Sequence, residues 1–211
     1  MKRVYLIGQG GHSKVIKDII EAQNVYKIAG YLDDKFSSLK EEHGSIFAPL
    51  SYVKELQSHD AFFIVSIGDN RVRKKIVERI ALPVEKYAVA IHPSAVISPS
   101  AQIGHGTAIM AKAVLNASTI IEDHVIVNTA SVIEHDSFIE KFSHVSPGAI
   151  LTGNVTCREG VHIGAGSSVI PNIVIGQWSV VGAGASVIRD VEQEDTVVGV
   201  PAKSIKGRVG K

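Results

Sequence analysis

The sequence predicts a two-part fold: a Rossmann-like α/β domain with a parallel sheet over residues 1–90, then a parallel β-helix over residues 91–211. Three observations carry that expectation. The first part alternates short apolar runs with helical periodicity, and the second repeats with a strict six-residue period. Charge changes at the junction, from 14 Lys+Arg and 11 Asp+Glu before residue 91 to 8 and 10 after it.

Taking the α/β part in order, Val4–Ile7 reads as a buried strand and Gly8-Gln9-Gly10-Gly11-His12-Ser13 as a tight turn. Val15, Ile16, Ile19 and Ile20 follow at helical spacing, and Ile28–Leu32 is a second strand ending in Asp33-Asp34. This is a βαβ unit. Ala61–Ile67 is another strand; after Gly68-Asp69-Asn70 a helix is marked by Val72, Ile76, Val77 and Ile80. Its charges Arg71, Arg73, Lys74, Lys75 and Arg79 read as a solvated face. Gly8, Gly10 and Gly11 would let the backbone approach a phosphate at a helix N-terminus, where free N–H groups and the helix dipole favour anions. His12 is a candidate donor to a phosphate or sugar oxygen, and Asp33 stands about 20 residues further on, where a ribose-binding acid would. Ser13 replaces the third glycine of the dinucleotide fingerprint, and the segment supplies about half a dinucleotide fold. A nucleotide is therefore expected rather than NAD, with an unliganded turn as the alternative.

In the second part, steps of six from Ile97 to Val187 meet an aliphatic residue at every position except Cys157. Two residues earlier in each hexad stands a small or β-branched residue, from Ala95 to Ala185. Side chains alternate across a strand, so each hexad is one short strand with two inward residues, plus a turn. Such hexads resemble the left-handed parallel β-helix, in which three hexads make an 18-residue triangular coil. The ladder would form about five coils, roughly 25 Å tall at the strand spacing. Cys157 fills an inward slot and reads as a buried hydrophobe.

An 18-residue period tells which residues stack. His144 and His162 differ by 18 and project outward from one face. His135 follows Ile133 at a corner, and 18 residues later comes Gly153, whose bare N–H would lie beside it. Glu134 and Asp136 flank His135, and a carboxylate can hold an imidazole in one tautomer for general-base work. His43, His59, His92, His105 and His124 read as solvated turn residues. Three-histidine zinc sites occur in another hexapeptide solenoid, the γ-type carbonic anhydrases, but no two histidines here are five apart, so no metal is expected.

Gly10-Gly11-His12, Leu32-Asp33-Asp34, Ile67-Gly68-Asp69-Asn70 with Arg73-Lys74-Lys75, Val132-Ile133-Glu134-His135, Phe142-Ser143-His144-Val145 and the closing Val198-Gly199-Val200-Pro201-Ala202-Lys203 together look like the NeuD/PglD sugar acyltransferases. The resemblance covers nearly the whole chain. It implies trimers with active sites between subunits, an N-terminal domain that binds a nucleotide sugar, and a β-helix that binds acetyl-CoA. His135 matches the family's base. Bacillosamine-pathway members carry Glu directly after that histidine, where this chain has Asp136.

The function expected is acetyl-CoA-dependent N-acetylation of a UDP-linked amino sugar for bacterial surface glycans. His135, Asp136 and Glu134 would be catalytic; His144, Gly153 and His162 would meet acetyl-CoA; Gly8, Gly10, Gly11, His12, Asp33, Asp34, Gly68, Asp69 and Asn70 would hold the nucleotide sugar. O-acetylation of sialic acid or a related sugar is the alternative, and a non-catalytic nucleotide scaffold or metal-dependent hydratase the third. A formal net charge of +1 gives no global pull toward nucleic acid or anionic membrane. A single cysteine fits a reducing compartment, so a cytoplasmic location is expected, and the short Val4–Ile7 run predicts neither a signal peptide nor a membrane span.

Overall fold

A computed structural model describes residues 1–56 and 61–206. The α/β domain begins with β1 (Lys2–Ile7), α1 (Gly11–Gln23) and β2 (Tyr26–Leu32). A small hairpin, β3 (Lys40–Glu42) and β4 (Ser45–Ala48), is followed by α2 (Val53–Leu56), β5 (Ala61–Val65) and α3 (Asn70–Ile80). The sheet order is β3-β4-β2-β1-β5, parallel throughout except for the β3–β4 pair. The sheet is therefore mixed, because the hairpin adds an antiparallel edge that the apolar runs did not reveal. The chain runs outward from β1 through β2 and β4, then returns to the other side of β1 as β5. That reversal opens the crevice where α/β sheets receive ligands, between the turns that follow β1 and β5.

From Ala90–Ile91 onward, seventeen two-residue strands run to Ser186–Val187, distributed over three parallel sheets. They form the left-handed parallel β-helix, five full coils deep. The stacking step is 18 residues, as in Val114↔Val132↔Ile150 and His144↔His162. The inward ladder is buried from Ile109 to Val187, while Ile97 and Ile103 at the starting end are partly buried. Burying that continuous aliphatic column is what stabilises coils that are otherwise mostly turn. Every sixth residue from Gly106 to Gly184 has positive φ, nine of them non-glycine, so the corner is a left-handed residue at each hexad boundary.

The first face holds Ala90–Ile91, Ala108–Ile109, Ile126–Val127, His144–Val145, His162–Ile163 and Val180–Val181; the second begins with Val96–Ile97 and the third with Gln102–Ile103. The α/β domain sits on the first face. Ala108, Met110 and Ile126 share a buried cluster with Val4, Leu6, Ile16 and Ile20. At the far end the step shortens: Val180 and Val181 pair with Thr196 and Val197, a spacing of 16 residues. Lys203–Ser204 then adds an antiparallel strand to Thr196–Val198. Among the described residues no helix is long and apolar enough to cross a membrane.

Candidate active site

His135 and Asp136 form the corner turn between the second and third faces. Asp136 has φ 60°, and this left-handed turn brings its carboxylate back to its neighbour, Oδ2 lying 2.7 Å from His135 Nδ1. With Nδ1–H donated to Asp136, the Nε2 lone pair is left outward, on a side chain 59% exposed. A Cβ on Gly153 would lie 2.7 Å from His135 Cε1 and Nε2, so glycine is what admits the ring. The Gly153 N–H meets no acceptor among the described residues. Glu134, half-buried, makes no such contact; of the two flanking carboxylates, Asp136 holds the ring.

His144 and His162 stack across adjacent coils of the first face, ring centroids 5.1 Å apart. His144 Nδ1 lies 3.3 Å from the Gly68 carbonyl and Nε2 3.0 Å from Asn128 Nδ2. These contacts set a neutral ring with the proton on Nδ1, because the carbonyl needs a donor and the amide N–H needs an acceptor. Burial, with the charges of His162 and Arg73, pushes its pKa down to about 3. His12, 6.4 Å from His144 between centroids, is lowered to about 4 by burial and by Arg73, and its Nε2 is buried without a partner. His162, lowered by burial and Arg73, lies 3.3 Å through Nε2 from Ser146 Oγ.

His144 and His162 border an open cavity of about 380 Å³ between the domains, lined also by Gly68, Asp69, Asn70, Arg71 and Trp178. Residues expected together at acetyl-CoA are thus separated: Gly153 lies under His135, whereas His144 and His162 are on the face opposite that vertex. A larger hollow of about 650 Å³ on the third face, beside Glu140, Arg158 and Asp190, holds none of the candidate residues.

The turns of the α/β domain converge on the crevice. Gly8, at φ 94°, packs against Ile67 and donates its N–H to the Leu32 carbonyl at 2.8 Å. Gly10 is the N-cap of α1 with no side-chain cap, and open space lies where Cβ atoms of Gly10 and Gly11 would be. The first-turn N–H groups of a 13-residue helix face that space, an arrangement suited to phosphate. Asp33 accepts the Gln9 N–H at 2.8 Å and the Lys35 N–H at 3.0 Å, clasping the two turns. Asp34 is paired with Arg79 and accepts the Leu50 N–H, and the Arg79 hydrogen bond lowers its pKa. Asp69 caps α3 through the Val72 N–H, and Asn70 donates to the Gly160 and Val161 carbonyls.

Two expectations are corrected. Arg73 is not on a solvated face: it is 1% exposed and hydrogen-bonded on every side. Of its helix neighbours, Lys74 pairs with Glu159 at 2.6 Å and Arg71 lies 4.7 Å over the Trp178 ring. His124 is likewise buried, stacked 5.2 Å from Phe142 and edge-on to Tyr87 at 4.5 Å, with its pKa lowered to about 4 by burial. A helix wheel cannot see a carbonyl-lined surface supplied by another domain. The signal available was the corner column Gly106, His124, Phe142, Gly160 and Trp178, whose aromatic members need cover. His43 and His105 are exposed and His92 is half-buried, while His59 lies outside the described residues. Cys157 is fully buried, which raises its thiol pKa. No metal-holding cluster of His, Cys, Asp or Glu occurs among the described residues.

An α/β domain whose strand ends open onto a hexapeptide β-helix is the architecture of the sugar acyltransferases among the hexapeptide-repeat proteins. Residues 3–80 match the PglD N-terminal domain family. The UDP-N-acetylbacillosamine N-acetyltransferase of Bacillus subtilis is 44% identical over 113 residues, which are 53% of this chain and 52% of that protein; the match thus spans about half the length of this curated relative. PerB from Caulobacter crescentus, solved in complex with CoA and GDP-perosamine, superposes with a TM-score of 0.87 at 34% identity over 97% of both chains. The acetyltransferase domain of PglB from Neisseria gonorrhoeae, solved with acetyl coenzyme A, gives 0.86 at 36% identity over 96% of this chain and 98% of that one. The chain belongs to the NeuD/PglD family of sugar acyltransferases.

Proposed function

We propose that the protein transfers an acetyl group from acetyl-CoA to the amino group of a UDP-linked amino sugar in bacterial surface-glycan synthesis. The observation that carries this reading is the His135–Asp136 pair, held at 2.7 Å with Nε2 outward over Gly153. His135 accepts a proton from the attacking amine as its nitrogen bonds to the thioester carbon, and Asp136 stabilises the resulting imidazolium. The free Gly153 N–H would stabilise the oxyanion. As the intermediate collapses, the carbon–sulfur bond breaks and His135 returns the proton to the CoA thiolate, leaving an amide and CoA. Acetyl-CoA is a co-substrate here, and no metal is needed. The nucleotide sugar would occupy the crevice formed by Gly8–His12, Asp33 and Gly68, with Asp34, Asp69 and Asn70 shaping its turns. His144 and His162 would line the path of acetyl-CoA where it passes the first face.

One copy does not bring these halves together. His135 stands at the vertex opposite the face that carries the α/β domain, roughly 15 Å across the prism by strand rise. The two faces flanking that vertex carry outward apolar ladders, including Val96 at 63% exposed, Val114, Val132 and Ile150 on one and Ile120, Phe138 and Val174 on the other. A cyclic trimer would bury those ladders and bring a neighbour's nucleotide crevice toward each His135. Light scattering should give about three times 22.5 kDa; a fully active monomer refutes shared sites. The single cysteine of the sequence supports a reducing, cytoplasmic setting.

The deciding assay measures CoA release across UDP- and GDP-linked amino sugars and free sialic acids. Turnover confined to nucleotide amino sugars supports the reading. Turnover confined to sialic acids replaces it with O-acetylation, and no turnover with any acceptor overturns both.

A further inference from the structure

A buried guanidinium without a carboxylate partner is costly unless every N–H is used. Arg73 meets that demand with oxygen dipoles alone. Nε donates to the His124 carbonyl at 2.9 Å, and Nη1 to the Ile67 and Gly68 carbonyls at 3.1 Å each. Nη2 donates to Asn70 Oδ1 at 2.9 Å and to the Phe142 and Ser143 carbonyls at 2.7 and 3.3 Å. Half of these oxygens belong to successive coils of one solenoid corner, and the other half to the turn and helix start after β5. Asn70, oriented by Arg73, continues the grip to the next coil through Gly160 and Val161.

The Gly68 carbonyl is shared between Arg73 and His144. One side chain therefore sets both the spacing of the two domains and the height of the β5–α3 turn above the histidine-lined cavity. Positive-φ corners make this possible, because His124 and Phe142 turn their carbonyls toward α3 at the same corner one coil apart. Burial lowers the Arg73 pKa to about 9, so it stays charged at neutral pH.

We propose that Arg73 is a positioning residue for acceptor binding: it pre-sets the Gly68–Asn70 turn against the β-helix, so that the nucleotide-sugar crevice exists before the ligand arrives. This rests on the acetyltransferase reading. Without the bridge the turn samples several positions, and the acceptor binds the competent fraction, so its apparent affinity falls by that fraction while turnover of the bound complex persists.

The test is Arg73→Lys, with Arg73→Gln beside it and Lys75→Met, an exposed residue of the same helix, as the control for lost charge. Lysine keeps the charge but cannot span two domains with a planar fork. The expected result is an acceptor KM raised about tenfold or more with kcat within about twofold of wild type, and a clearly smaller rise in the acetyl-CoA KM through the Gly68 carbonyl that His144 shares, the pattern of lost ground-state positioning. Hydrogen exchange at residues 67–70 should quicken in both Arg73 variants, and Lys75→Met should match wild type. An unchanged acceptor KM in a folded Arg73→Lys protein, or equal losses for both substrates, overturns the proposal. So does loss of the folded trimer in both variants, which would make Arg73 a stability residue. A wild-type enzyme inactive on every nucleotide amino sugar would instead defeat the parent reading.

Discussion

Replacing Gly153 with alanine isolates the position of the proposed base from its chemistry. The added Cβ would stand 2.7 Å from Cε1 and Nε2 of His135 and 3.4 Å from Cδ2. Carbon atoms rest at about 3.5–4.0 Å, so the ring must withdraw by about 1 Å. Its side chain is 59% exposed and can swing outward, but doing so disturbs the 2.7 Å contact with Asp136. The backbone does not object, since φ at Gly153 is outside the left-handed region, and the N–H offered to the oxyanion is retained. Misplacing a reacting group by about 1 Å costs on the order of 10² in rate. Gly153→Ala should therefore lower kcat by roughly 10²-fold, read by steady-state CoA release, while the unfolding free energy moves by less than about 1 kcal/mol. A variant that keeps more than half of wild-type kcat would show that the ring need not sit over Gly153.

The other predictions address single elements. His135→Ala should cost about 10²- to 10⁴-fold in kcat with assembly intact, and Asp136→Asn less, because asparagine tolerates the left-handed φ and removes the charge that supports the imidazolium; a His135→Ala enzyme above about a tenth of wild-type rate refutes the base assignment. Gly10→Val places a branched side chain in open space at the α1 N-terminus, so the protein should fold while acceptor KM rises and acetyl-CoA KM holds. His124, with a folded pKa of about 4, favours the neutral ring, so its stabilising contribution is complete above the unfolded value near 6.5 and declines as pH falls toward 4. His124→Phe keeps the stack on Phe142 and the backbone carbonyl to Arg73, and in denaturant titrations should lose about 2 kcal/mol less than wild type between pH 7 and pH 5.

The β-helix was legible because its physics is periodic: one inward aliphatic per hexad reports strand, turn and coil at once, and the 18-residue pairing follows arithmetically. His135 and Gly153 were brought together by that same arithmetic. What periodicity could not convey was which solenoid face receives the α/β domain. His144 and Gly153 therefore looked like neighbours along one groove, although they occupy opposite sides of the prism. Arg73 and His124 defeat sequence periodicity for a related reason, since each is buried by the domain it does not belong to. Asp34, Asp69 and Asn70 sit in the turns where ligand contacts are expected, yet their side chains are spent on Arg79, on the α3 N-terminus and on the solenoid corner.

The shortened last coil has a consequence for colloidal behaviour. A β-helix is a rod whose final turn would normally present three rows of unsatisfied backbone groups, a template on which a second rod could stack end to end. Here most of these groups are taken up locally, and the first-face sheet ends in a two-residue exposed strand. Lys203–Ser204 covers the first face in antiparallel sense, Gly199 and Ala202 take the backbone groups of Ser186 on the second, and Asp190 and Val191 take those of Val174 on the third. Two residues fewer in the coil let the chain tuck inward, closing the end before the aliphatic column meets water. Open head-to-tail association, which has no natural stop and grows filaments, is thereby left only a short edge carrying Lys203, and the lateral apolar faces, where rotation can close, are the better surface for self-association.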